Sequence, residues 1–189
     1  MSKIIAINGS PRLSGNTAAM LNTVLEVCSE AGHQTELYQV GGRAVRGCAG
    51  CGGCGKNLGT CAIGDWVNEL YPKMKAADAI ILGSPTYFAD ITAEMKAVID
   101  RCGYMARRDG TAFSRKIGAS VSAVRRCGGI HTLDSMNHFF QINDMILPGS
   151  TYWNMSLSRV DGDFAKDAEG VATMRRLGEN IAWLLEKLR

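Results

Sequence analysis

Four closely spaced thiols are the most chemically capable residues of this chain: Cys48-x-x-Cys51-x-x-Cys54, with Cys61 after six intervening residues. The first three are too compact for the paired knuckles of a zinc ribbon, whose halves stand about 15 to 20 residues apart. Thiolates at this spacing can wrap three corners of an iron-sulfur cube, and Cys61 supplies the fourth. Gly47, Gly50, Gly52, Gly53 and Gly55 let the backbone fold tightly between them, and Arg43, Arg46 and Lys56 are the charged neighbours. That positive surround raises the potential expected of a [4Fe-4S] cluster. Two other states of the same thiols stay open: a single tetrahedral zinc ion, and no metal, with cysteines that are structural or sensitive to oxidation. With seven cysteines in all, an odd number, a disulfide framework is not expected. Cys28 and Cys102 fall in expected helices as small buried hydrophobes.

A second stretch can bind an anion. Gly9-Ser10-Pro11-Arg12-Leu13-Ser14-Gly15-Asn16-Thr17 follows an apolar strand, Lys3 to Asn8, and opens a helix. The first N–H groups of a helix point outward at the positive end of its dipole. Together with the short polar side chains of Ser10, Ser14, Asn16 and Thr17 they make a pocket for one terminal phosphomonoester. The loop lacks the lysine of a nucleoside-triphosphate site and the glycine spacing of a dinucleotide site. The plainer alternative is a strand-to-helix turn with Asn16 or Thr17 as N-cap.

This loop, Gly9-Ser-Pro-Arg-x-x-Gly-Asn-Thr17, resembles the phosphate loop of the flavodoxin-like NAD(P)H-dependent FMN reductases. Within that family an iron-sulfur flavoprotein branch carries a compact cysteine run after the second strand, where Cys48 to Cys61 fall here. The resemblance implies FMN held by three loops. Ser10, Arg12, Ser14, Asn16 and Thr17 would take the phosphate; Pro85, Thr86, Tyr87 and Phe88 would lie along one ring edge; Val124, Arg125, Cys127, Gly128 and Gly129 would surround the other. Cys127 reads either as a small residue or as a thiol against the ring. Arg125 and Arg126 read as contacts to the flavin's pyrimidine edge or to a pyridine nucleotide phosphate, or as surface charge. Lys96, Asp100 and Arg101 match the family's Lys-x-x-x-Asp-Arg helix, and Tyr152-Trp153-Asn154 matches a further family segment. By themselves the three charged residues read as a solvated face with an i,i+4 pair. A homodimer or homotetramer is also implied.

The elements that must position these residues follow from periodicity. Helices are expected over Thr17 to Ala31, Asp65 to Ala76, Ala93 to Cys102, Ile130 to Asn143 and Asp167 to Leu188. Strands are expected over Lys3 to Asn8, Gln34 to Val40, Asp78 to Gly83, Lys116 to Val124 and Met145 to Ser150. The second strand is the least apolar and so belongs at an edge. The glycine-rich connection 41–64 has no periodicity of its own, and a loop that long is usually functional. Five β-α units in succession give an α/β chain read as a single domain, 1–189. The flavodoxin-like resemblance adds a three-layer sandwich with a five-stranded parallel sheet in the order 2-1-3-4-5 and a cysteine-rich loop after the second strand.

Composition closes off other classes. At 46% hydrophobic and 21% charged residues the chain is of globular type, and a formal charge of +3 without a basic run gives no nucleic-acid partner. No apolar run reaches the ~20 residues of a membrane span, and the first strand begins almost at Met1, so a cytoplasmic location without membrane contact is expected. His131 and His138 read as core or surface residues rather than catalytic ones. The function expected is a redox flavoprotein passing electrons between FMN and a [4Fe-4S] cluster, a converter between one- and two-electron carriers. Its partners would be small-molecule or ferredoxin-type donors and acceptors, with NAD(P)H among the candidate donors. The alternatives are an FMN-dependent NAD(P)H reductase of quinones, azo compounds or flavin without a cluster, and a non-catalytic flavodoxin-like electron carrier.

Overall fold

Side chains of a strand alternate between faces, and the first strand shows what that alternation builds. In the computed structural model, which describes residues 1–188, β1 (Lys3–Asn8) sends Ile4 and Ala6 to one apolar cluster and Ile5 and Ile7 to another. The first cluster is closed by α1 (Asn16–Glu30) and α6 (Ala168–Lys187). The second is closed by α3 (Val67–Ala76), α4 (Ala93–Arg108) and α5 (Gly129–Ile142). Between them, β1 pairs with β2 (Gln34–Gln39) and β3 (Ala79–Pro85), and β4 (Ile117–Val124) joins β3 to β5 (Met155–Leu157). All pairings are parallel and the order is β2-β1-β3-β4-β5, which places the half-buried β2 at an edge as its composition requires. No helix among the described residues is long and apolar enough to cross a membrane.

Two expectations are corrected. The last strand is Met155–Leu157, not Met145 to Ser150. Of the expected stretch only Ile146 bridges to the sheet, at Ile117, because Pro148 has no N–H to donate and Pro148-Gly149 turns the chain off the edge. Tyr152-Trp153-Asn154 consequently precedes β5 instead of following it. The loop 41–64 is not wholly irregular, since Gly53–Lys56 forms one helical turn, α2. At the C-terminus Leu188 is 54% exposed and leaves the buried stripe of α6, which runs through Met174, Leu177, Ile181 and Leu185. Cys28 and Cys102 are buried as expected, and burial pushes both thiols up to about 12.

Candidate flavin site and cysteine cavity

The three expected flavin loops all leave the carboxyl ends of β1, β3 and β4, and hydrogen bonds lock them to one another. Gly9 N–H donates to Gly83 O at 2.8 Å, and the Thr92 hydroxyl donates to Gly9 O at 2.9 Å. Thr86 N–H reaches Ala123 O at 2.9 Å, while its hydroxyl joins Ser122 and Thr132, each at 3.0 Å. Gly128 has φ 91°, and a Cβ there would stand 2.9 Å from Ala89 Cα, so the second and third loops touch through a position only glycine fills without strain.

The phosphate loop has the free helix end its sequence promises. Gly15 occupies the N-cap of α1, and no described side chain caps the helix, which begins at Asn16. The first-turn N–H groups therefore remain for a ligand. Ser10 is buried, with its hydroxyl oxygen accepting Arg12 N–H at 3.2 Å, and Ser14 and Arg12 are exposed at the mouth. Thr17 is buried in the first turn. Asn16 is engaged elsewhere: its amide donates to Val160 O at 2.8 Å and accepts Phe164 N–H at 3.2 Å. Both bonds tie the loop to the chain after β5. Arg12 likewise pairs with Asp161 at 3.2 Å. Asn16→Ala is expected to destabilise the flavin-free chain by about 1–3 kcal/mol, because it strands a buried N–H and a carbonyl; urea unfolding of the apoprotein measures it.

On the ring side, Tyr87 is 46% exposed and Phe88 fully so, at the tip of a turn closed by Tyr87 and Asp90 in which Phe88 and Ala89 adopt φ of 48° and 63°. Pro85 ends β3, Val124 and Gly129 are buried, and Arg125 and Cys127 are exposed. His131 stands 3.7 Å from Asp90, a pairing the sequence did not announce. Partial burial works against ionisation of Asp90, but the Ser135 hydroxyl, Ile91 N–H and His131 hold its pKa below the usual carboxylate value.

Cys48, Cys51, Cys54 and Cys61 line one cavity of about 130 Å³, with Tyr104, Met105, Arg101 and Arg108 on its other walls. All are thiols; Cys48 and Cys51 are exposed, and Cys54 and Cys61 are half-buried against the core. Asn68 grips Cys61 from both sides, accepting its N–H at 2.8 Å and donating to its carbonyl at 3.0 Å. Four thiols around one space fit a thiolate-held centre by donor chemistry. As placed, no three or more His, Cys, Asp or Glu side chains among the described residues form a group that could hold a metal ion.

Arg101 corrects the solvated-face reading of α4. Lys96 and Asp100 do form the exposed i,i+4 pair, but the Arg101 side chain is fully buried and grips Asp65. Sequence periodicity alone gives no signal for that partner, nor for Asn68, Ser122, Thr132 or Val160.

The profile of the family described as NADPH-dependent FMN reductase matches residues 2–159. An iron-sulfur flavoprotein of Methanocaldococcus jannaschii is 35% identical over 194 residues, covering 99% of each chain. One from Methanosarcina thermophila is 32% identical over 190 residues, covering 99% of this chain and 97% of that one. Among solved structures, the flavodoxin, WrbA-like protein from Agrobacterium tumefaciens superposes with a TM-score of 0.72 over 100% of both chains at 16% identity.

Proposed function

From its membership in the NADPH-dependent FMN reductase family, in the iron-sulfur flavoprotein branch, we propose that this FMN-dependent oxidoreductase is a reductase of quinones, azo compounds or free flavin driven by NAD(P)H. The observation that carries the reading is the shelf formed by the three interlocked loops beside the uncapped N-terminus of α1. When bound, FMN supplies the redox chemistry, accepting an electron pair and releasing it singly or together. The chain binds and orients it. Ser10, Arg12, Ser14 and Thr17 with the first-turn amides face the phosphate; Pro85 to Phe88 and Val124 to Gly129 flank the ring. Asn16 and Thr86 also hold the loops in place, Asn16 through Val160 and Phe164 and Thr86 through Ser122 and Thr132. One domain carries the whole site, and assembly as a homodimer or homotetramer covers the exposed ring edge.

The four thiols on one cavity favour a second reading, in which Cys48, Cys51, Cys54 and Cys61 would hold a [4Fe-4S] cluster that would supply one-electron chemistry between FMN and a ferredoxin-type partner. The names of the full-length relatives support it. The present placement of the thiols, with no group that could hold a metal ion, supports the cluster-free reductase. Iron, acid-labile sulfide, zinc and FMN per chain, measured after purification without oxygen, separate the two. About four irons and four sulfides beside one FMN select the cluster. FMN without iron, with pyridine-nucleotide-driven quinone reduction, selects the reductase; absence of FMN overturns both. If the cluster is present, Cys61→Ala is expected to lose the brown colour and keep the flavin.

A further inference from the structure

Helix α4 turns one charged side chain inward, onto the cysteine cavity. Arg101 is 1% exposed. Its fork closes on Asp65, Nη1 to Oδ2 and Nη2 to Oδ1, both at 2.6 Å. The same two nitrogens donate to Arg46 O at 3.3 Å and to Ile63 O at 3.1 Å. Arg46 lies two residues before Cys48 and Ile63 two after Cys61, so a single guanidinium pins both ends of the cysteine run. Its third nitrogen, Nε, is buried and makes no hydrogen bond among the described residues. Arg101 is also a wall of the cavity onto which all four thiols open. A buried donor without an oxygen or nitrogen partner is costly, and more so when it belongs to a cation; the Cys61 sulfur, a weak acceptor, is the neighbour that meets the guanidinium on the cavity side. Burial disfavours the charge, but Asp65 and the nearby Cys61 sulfur keep its pKa raised.

The geometry points to Arg101 as the cationic wall of the cysteine cavity, a positioning residue that holds the loop ends together and offers its remaining N–H to an anionic, thiolate-bound occupant. The occupant part of this inference rests on the cluster reading; the anchoring of the loop does not. It makes Arg101 a fifth determinant of what the cavity accepts, selecting for negative charge beyond what four sulfurs select by softness. Groups behind metal ligands tune affinity by about 10- to 100-fold.

The test compares Arg101→Gln, Arg101→Lys and Asp65→Asn with the unaltered full chain. After anaerobic reconstitution with iron and sulfide, Arg101→Gln is expected to surrender iron to a chelator roughly tenfold faster. Arg101→Lys, which keeps the charge and loses the fork, is expected to fall between, and FMN content is expected to stay constant. In the metal-free chain, Cys61 of Arg101→Gln is expected to be alkylated by iodoacetamide roughly tenfold faster, with Cys127 unchanged. Unaltered iron loss and unaltered Cys61 alkylation in Arg101→Gln overturn the inference, as does a lysine variant that behaves like the glutamine one. If the unaltered chain takes up no iron, the cluster reading and the anionic-occupant role fail together, and alkylation alone decides the anchoring role. If Arg101→Gln does not fold, the lysine and Asp65→Asn variants decide it, and rates equal to those of the unaltered chain in both refute it.

Discussion

Gly41→Ala is expected to weaken FMN binding while leaving all four clustered thiols in the sequence. Position 41 ends the path of β2, where the backbone N–H donates to Asn8 O at 3.1 Å. A Cβ there would be driven well inside contact distance of the Ser10 carbonyl carbon and oxygen and the Gly9 oxygen. These are backbone atoms and cannot swing aside. Gly9 is fixed by Gly83 and Thr92, and Ser10 O receives the Gln39 amide at 2.6 Å. The phosphate loop must shift as a body. Overpacking against atoms so confined costs about 3 kcal/mol, and if half falls on the bound state, FMN affinity drops roughly tenfold or more. Calorimetric titration of the apoprotein with FMN measures it; affinity equal to the unaltered chain would remove Gly9 to Thr17 from the flavin site.

Asp65→Ala is expected to cost the fold about 3 kcal/mol, since it leaves a buried guanidinium without its counter-charge. The lower end of the range for broken buried pairs applies because the Asp65 side chain is 22% exposed while that of Arg101 is not exposed at all. Desolvation works to raise the Asp65 pKa, but the Arg101 fork and Val67 N–H overcome it and hold the value below 3.8. A depressed carboxylate stabilises fully above its unfolded pKa of about 3.9 and loses that contribution as pH falls through the folded value. The unaltered chain and Asp65→Ala should therefore differ by a constant amount at neutral pH and converge in acid below the folded pKa. A gap that persisted undiminished below that value would assign the loss to packing instead. Denaturant midpoints across the acid range distinguish the two.

Most of the scaffold was legible because strand and helix periods do not depend on distant partners. Lys3 to Asn8, the helix opening near Asn16, and the edge position of Gln34 to Gln39 follow from local pattern, and the sheet order agrees with the family likeness. What the pattern misreads is where long-range pairing overrides it. Met145 to Ser150 is apolar enough for a strand, but the sheet accepts only Ile146 before Pro148, and the true β5 is three residues long, too short to stand out. Arg101 carries the same charge whether solvated or buried, and its partner Asp65 lies 36 residues earlier. Nor does anything near Asn16 in sequence reveal its bond to Val160. The thiols were legible as a cluster in sequence, and in the structure all four line a single cavity.

The bond from Asn16 to Val160 spans 144 positions and that from Phe164 to Asn16 spans 148. A chain emerging from the ribosome has its first strand and helix long before it has the residues that brace the turn between them. The turn thus reaches its final shape only once residues 160–164 have been made, well after the residues of the turn itself. Any truncation before Val160 would yield a chain that contains every residue of the Gly9 to Thr17 turn and still lacks the bracing of that turn.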